Sequence, residues 1–287
     1  MARLPAYVGV SAFGIKIGVV VPGGDMLDMV YESLAKCNDD GLLDSGDTVC
    51  VTESVVARAQ NNYVTVDDVA REAREKLELG PGSTLGILFP ILSRNRFSLV
   101  LKGLARAVPE GAVVVQLSQP ADEVGNPILP WDFAERLGKA DSDVITLEDI
   151  GDDRFKHPVT GVDYIDLYQS IIEGQGASSK IYLCNNPLHI GEVGADGIIV
   201  ATIHNRERLR SRLASAGISS ITLQELCNSG RPAWSEWGLL GSNMSSGDRL
   251  KLAPRHADEL AIALQARVAE GLGKSIEVIV YGDGAYR

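Results

Sequence analysis

Short runs of β-branched and aliphatic residues alternate with amphipathic stretches along this chain. That alternation predicts a mixed fold, α/β to α+β, with substantial parallel strand pairing. Three observations carry the prediction. Apolar runs stand at 15–21, 48–52, 84–89, 113–117, 181–184, 198–203 and 276–280. Several are followed by segments with apolar residues at helical spacing. Glycine, proline and aspartate fall between the two kinds of segment, where turns need them.

Taken in order, Ile15–Val21 reads as a strand, broken by Pro22-Gly23-Gly24-Asp25. Asp25 is a natural N-cap for a helix with Met26, Val30 and Leu34 along one face. Asp44–Asp47 is a turn, Thr48–Thr52 a strand, and Glu53–Arg58 continues from its end. A helix capped by Asp67 or Asp68 runs to about Leu79, stopped by Pro81 and Gly82. Thr84–Phe89 is a strand, Ser93–Ala107 a basic helix, and Val113–Leu117 a strand. Periodicity then fails between Gln119 and Asp141, where Pro120, Pro127 and Pro130 mark a loop or cover and a boundary. Val144–Leu147 reads as a short strand, Asp149–Thr160 as acidic and turn-rich, and Tyr164–Ile172 as a helix. Ile181–Cys184 and Ile198–Ile203 are strands, and Arg206–Ala216 is a helix. Leu250–Leu252 is a short apolar run. A long helix from Arg255 to about Gly271 follows, with Leu260, Leu264 and Val268 on its buried face. Ile276–Val280 reads as a buried strand leading to Tyr281-Gly282-Asp283-Gly284. The chain is expected to divide into residues 1–118, a middle insertion or second domain at 119–236, and a return at 237–287.

Composition narrows the function. The chain has 287 residues, 45% hydrophobic and 23% charged, an ordinary globular balance. A net charge of −11 argues against nucleic acid or an anionic membrane as partner, since either needs a basic face. Cys37, Cys50, Cys184 and Cys227 are scattered, and read as small core residues in a reducing compartment. No signal peptide and no membrane-length apolar run is present, so a cytoplasmic location is expected.

Candidate sites each have a plainer alternative. Glycines between a strand and a helix, as at Pro22–Asp25, let backbone N–H groups meet a phosphate; the same residues also make a simple turn. Gly271-Leu272-Gly273-Lys274-Ser275 imitates the end of a phosphate loop but precedes a strand and has Val268 where the first glycine belongs, so it is set aside. Glu53, Ser54 and Arg58 cluster after a buried strand, where Arg58 suits a phosphate or is one more surface arginine. Arg94 and Arg96 in the first helical turn oppose the macrodipole. That suggests an anionic ligand, or an acidic partner such as Glu148–Asp153. His157 and Asp163 flank a turn before a helix, for which Asp163 is the expected cap. Asp283 between two glycines, beyond an apolar strand, sits where α/β sheets present metal or phosphate ligands; Gly-Asp-Gly is also an ordinary turn.

Together these segments resemble the gamma-glutamyl ligases of the deazaflavin coenzyme F-420, and more closely the longer bacterial proteins of that superfamily. The family's Pro-Gly-Asp turn is similar to Pro22–Asp25. Its Gly-Asp, apolar strand and polar-Lys-Ala segment is similar to Gly46-Asp47 through Arg58-Ala59. Its Gly-Val-Asp-x-Ser-Asn motif aligns with Gly238–Asn243, its Leu-x-Pro helix start with Leu252-Ala253-Pro254, and its strand ending in Ser-Asp-Thr with Val278–Gly284. The likeness covers Lys16–Arg58 and Trp237–Arg287 well, and rests on order and spacing rather than on one motif.

The resemblance implies two α+β domains in a gamma-glutamyl-ligase-like fold, with 1–118 and 237–287 forming the ligase-like domain, and a homodimer. It implies an enzyme that forms a carbon–nitrogen bond between L-glutamate and an acid acceptor, such as a coenzyme F-420 precursor. GTP is the implied activating nucleotide, with ATP the alternative, and Mg²⁺ or Mn²⁺ the metal. By position, Pro22, Gly23, Gly24, Asp25, Glu53, Ser54, Arg58 and Asn243 would contact the nucleotide, and Asp283 would hold metal. Arg58 replaces a family lysine and keeps its charge. Leu240 stands where the first metal aspartate belongs, and leucine offers no oxygen. Gly284 replaces a threonine, and the family continues beyond the position of Arg287. Asp163 is a candidate to replace the lost carboxylate. A folate-type polyglutamylating ligase, a non-catalytic nucleotide-binding member and a fragment of a longer enzyme are the competing expectations.

Overall fold

The computed structural model describes residues 7–152, 154–157, 160–230 and 232–282. In chain order the elements are α1 (Met26–Asp39), β1 (Thr48–Thr52), α2 (Glu53–Ala59), β2 (Tyr63–Thr65), α3 (Val66–Leu77), β3 (Thr84–Leu88) and α4 (Arg94–Ala107). Next come β4 (Ala112–Leu117), α5 (Phe133–Arg136), α6 (Leu147–Ile150), α7 (Tyr164–Glu173), β5 (Ser178–Leu183), a 3₁₀ turn (Pro187–Val193) and β6 (Gly197–Val200). α8 (Arg206–Ser215), β7 (Ile221–Thr222), a 3₁₀ turn (Leu223–Glu225), β8 (Asn243–Met244), β9 (Arg249–Lys251), α9 (Ala257–Leu272) and β10 (Glu277–Tyr281) complete the chain. The fold is mixed, with both parallel and antiparallel sheets, as the alternation predicts. It divides into two compact units, one of residues 7–62 with 253–282 and the other of residues 63–252.

In the first unit β1 and β10 pair in parallel, Cys50 opposite Ile279. Asp25 caps α1 by accepting the Asp28 N–H at 2.9 Å. Met26, Val30 and Leu34 line the buried face, as their spacing predicts, and pack with Val51, Val56, Leu264 and Val268. Three expectations change here. The 15–21 run is not a strand: Gly18 at φ +88° turns the backbone out of extended geometry, and no ladder among the described residues pairs the segment. Val19 is 80% exposed. α9 starts at Ala257, not Arg255, because the Arg255 N–H bonds to Gln60 Oε1 at 2.8 Å and His256 takes a left-handed conformation, φ +50°. β10 is not fully buried. Its only paired neighbour among the described residues is β1, and Ile279 remains 48% exposed.

The second unit is built on a five-stranded parallel sheet in the order β5-β4-β3-β6-β7. Successive residues of each strand alternate between its faces. Ile87, Val115, Ile181 and Ile199 enter one core, and Leu88, Val114, Tyr182 and Val200 the other. Burial on both faces explains why these strands read as continuous apolar runs. Gly103 lets α4 approach α3 closely; a β-carbon there would lie 2.6 Å from Val69 Cβ. A small antiparallel sheet, β2-β9-β8, flanks the parallel one in the chain order.

Local chemistry corrects two readings. The cap of α3 is Thr65, with Asp68 at the third helical position completing a reciprocal capping box. Val144–Leu147 is not a strand. Ile145 makes one bridge to Leu183, and Thr146 then caps α6 through a second such box with Asp149. Cys184 and Cys227 are buried as expected, whereas Cys50 is exposed. Among the described residues, no helix is long and apolar enough to cross a membrane.

Candidate functional site

The first unit brings together most of the residues that the resemblance assigns to nucleotide. The end of β1 passes directly into α2, so Glu53 occupies the first helical turn, where a carboxylate complements the dipole. Its side chain is buried, while Ser54 and Arg58 fall four residues apart on the exposed face of the helix. The Pro22–Asp25 turn is tied to the other end of α2, since the Gly23 N–H donates to the Ala59 carbonyl at 2.7 Å. The Gly24 N–H donates to the Val21 carbonyl at 3.0 Å. Both glycine N–H groups are thus engaged by backbone carbonyls, that of Gly23 on α2 and that of Gly24 within the turn. Gly23 adopts φ +83°, which a side chain disfavours.

The carboxyl ends of the paired strands β1 and β10 meet at this place. Gly282, just beyond β10, lies against Glu53, with its β-carbon position 2.1 Å from Glu53 Cδ. Asp283 and Gly284 lie outside the described residues. The loop after α2 is held by Gln60, whose Nε2 donates to the Arg255 carbonyl at 2.8 Å. Asn62 Nδ2 donates to the Ala253 carbonyl at 2.7 Å.

Asn243 belongs to the second unit. It opens β8 and pairs with Lys251 in register. Leu240 is buried in that unit's apolar core, with the turn at its back closed by the Ser242 hydroxyl donating to the Leu239 carbonyl at 2.8 Å. A side chain in that setting makes dispersion contacts and ligates nothing. Among the described residues no group of three or more His, Cys, Asp or Glu is placed to hold a metal.

The remaining candidates also lie in the second unit. Asp163 is the cap of α7, accepting the N–H groups of Ile165 at 3.0 Å and Asp166 at 3.2 Å. It also pairs with Arg154 at 3.2 Å. Arg94 and His157 line one cavity of about 260 Å³ with Asn95, Asn126, Thr160 and Tyr164. Arg96 is two residues further along the same helix start and is not part of the lining; its N–H donates to the capping Ser93 hydroxyl at 3.3 Å. Within the acidic stretch proposed as a partner for these arginines, Asp149 engages Lys139 at 2.7 Å. That lysine and the Thr146 backbone and hydroxyl donors hold its carboxyl down at about 2.

Sequence reasoning missed what shapes the cavity. Asp122 is buried and accepts from the Leu92 N–H at 2.8 Å and from Asn126 Nδ2 at 2.8 Å, joining the loops after β3 and β4. The buried Tyr168 hydroxyl donates to the Ile91 carbonyl at 2.6 Å and accepts the Ser93 N–H at 3.2 Å. Burial drives that phenol well above its ordinary range. Neither residue carries a local motif; only the fold brings partners 30 and 77 residues apart together.

A family model described as F420-0:Gamma-glutamyl ligase matches residues 14–287. Neither a curated protein nor a solved structure matches the chain.

Proposed function

The chain belongs to the F420-0:gamma-glutamyl ligase family, and on that premise we propose that it joins L-glutamate to an acid acceptor by a GTP-driven amide synthesis. The observation that carries this reading is the arrangement along α2: Glu53 at its start, against Gly282 at the carboxyl ends of β1 and β10, with Arg58 and the Pro22–Asp25 turn at its other end. In open sheets that edge is where ligands gather.

In the proposed reaction an acceptor carboxylate oxygen attacks the γ-phosphorus of GTP, and GDP leaves. The α-amine of glutamate then attacks the acyl carbon of the mixed anhydride, and inorganic phosphate leaves as the amide forms. Arg58 would hold phosphate oxygens by charge-assisted hydrogen bonds. Ser54, one turn away on the same exposed face, would contribute a hydroxyl. Asp25 and its turn would border the nucleotide; Asn243, in the second unit, is a proposed nucleotide contact on the resemblance alone. A divalent ion, Mg²⁺ or Mn²⁺, would neutralise phosphate charge. Asp283 is its proposed ligand, on the resemblance alone. Leu240 offers no second oxygen, so the described residues fit a metal set less complete than the family pattern. A homodimer and a cytoplasmic setting belong to the same proposal.

Leu240 supports a second reading, a nucleotide-binding member that does not catalyse ligation. Incubating the full chain with GTP, L-glutamate, Mg²⁺ and either a deazaflavin precursor or a folate distinguishes them. Acceptor-dependent release of inorganic phosphate with a new amide product supports the ligase, and the productive acceptor separates the F-420 type from the folate type. Nucleotide binding without phosphate release from either acceptor supports the second reading.

A further inference from the structure

We propose that the cavity of the second unit, formed where the loops leave the carboxyl ends of β3 and β4, binds a small anionic metabolite through a carboxylate or phosphate group. Its lining residues all belong to the second unit and include none of those assigned to nucleotide, and the inference does not depend on the ligase reading.

Size sets the class of ligand. At about 260 Å³ the cavity falls below the range of pockets for drug-sized molecules, so it suits an amino acid or a small phosphate ester rather than a nucleotide. Charge sets the sign. The chain as a whole carries −11, yet no acidic side chain appears among the described residues lining the cavity, and Arg94 does. α4 is also the long helix whose first turn carries no acid, so its dipole adds to the arginine's field rather than being neutralised locally.

The polar groups are of the right kind. His157 Nδ1 accepts the Thr160 N–H at 3.2 Å. The ring proton of the neutral imidazole therefore sits on Nε2, which makes that nitrogen a donor. Asn95, Thr160 and Tyr164 add amide and hydroxyl donors. The walls are fixed in advance of any ligand. Asp122 clamps Leu92 and Asn126, and the Tyr168 hydroxyl clamps Ile91 and Ser93. Tyr168 in turn packs against Phe97 and Tyr164, and Tyr164 edge-on to His157 at 6.3 Å. Walls fixed in this way spare a ligand the cost of ordering the loops that carry the donors.

The test is direct titration of the full chain with L-glutamate and, separately, inorganic phosphate, followed by calorimetry and by amide NMR shifts. Saturable binding of at least one probe is expected, with shifts centred on Asn95 and Thr160. Arg94→Gln should weaken it by about tenfold or more, the loss of a hydrogen bond to a charged group. Arg94 is exposed, so the variant keeps the fold; matched circular dichroism checks this. Arg212→Gln removes the same charge from the exposed face of α8, outside the cavity, and should leave binding unchanged. The probe that binds tells carboxylate from phosphate. Failure of both to saturate at millimolar concentration, or equal weakening by the two variants, would overturn the proposal.

Discussion

Gly282 stands against the carboxyl group of Glu53, its β-carbon position 2.1 Å from Cδ and 2.4 Å from Oε1. Only a hydrogen fits between the exit of β10 and the first turn of α2. Gly282→Ala must therefore displace the buried carboxylate, at about 1–3 kcal/mol, the ordinary cost of overpacking. Urea denaturation measures it. Combining the change with Glu53→Ala should recover part of the loss, because the clash disappears. A Gly282→Ala protein as stable as the parent would show that the contact is loose.

Asp122 anchors the loops around the cavity of the second unit. Its carboxylate accepts from the N–H groups of Leu92, Val124 and Asn126 and from Asn126 Nδ2. Asp122→Ala strands these donors, and each buried one left unpaired costs about 1–3 kcal/mol. The expected result is a lower melting temperature and faster hydrogen exchange at the Leu92 amide. Unchanged exchange at Leu92 would contradict the anchoring role.

α3 and α4 meet through Gly103, where an added methyl would press on Val69 and on the Val66 carbonyl at 2.9 Å. Gly103→Ala should destabilise the second unit by about 1–3 kcal/mol despite alanine's better helix propensity. An alanine variant more stable than the parent would mean that the helices separate without cost.

The Asp149 carboxyl is held at about 2, below its ordinary 3.8, by Lys139 first and then by Thr146. A depressed carboxylate contributes stability fully above its unfolded value. That contribution is lost as pH falls from about 3.8 towards about 2, because the unfolded chain takes up the proton first. Asp149→Asn should therefore flatten the pH dependence of unfolding in that window and leave its slope at neutral pH unchanged. Chemical denaturation at a series of pH values tests this, and an unaltered acid slope would contradict it.

Much of the fold is legible in the residues because period and caps are local. Thr48–Thr52 and the Tyr164 helix emerge where alternation, Asp163 and turn residues agree. The 15–21 run misleads because a β-branched composition specifies a strand only if a neighbour supplies the ladder; Gly18 also bends this one away. Thr65 is overlooked as a cap because Asp67 and Asp68 are equally good cappers, and only the reciprocal box selects the threonine. In the candidate site, Arg94 betrays itself by opposing the helix dipole. Its cavity partners Asn126 and Tyr164 arrive through tertiary contacts that spacing does not encode. Glu53 and Arg58 are legible as a cluster after a strand, whereas the close fit of Glu53 to Gly282 depends on the parallel pairing of β1 with β10.

The most direct test of the ligase reading is calorimetric titration of the full chain with GTP, with and without Mg²⁺, repeated on Arg58→Gln. The account predicts metal-dependent binding that weakens by about tenfold or more in the variant, the loss of a hydrogen bond to a charged phosphate. Binding indifferent to both metal and Arg58, or no binding from a folded chain, would contradict it.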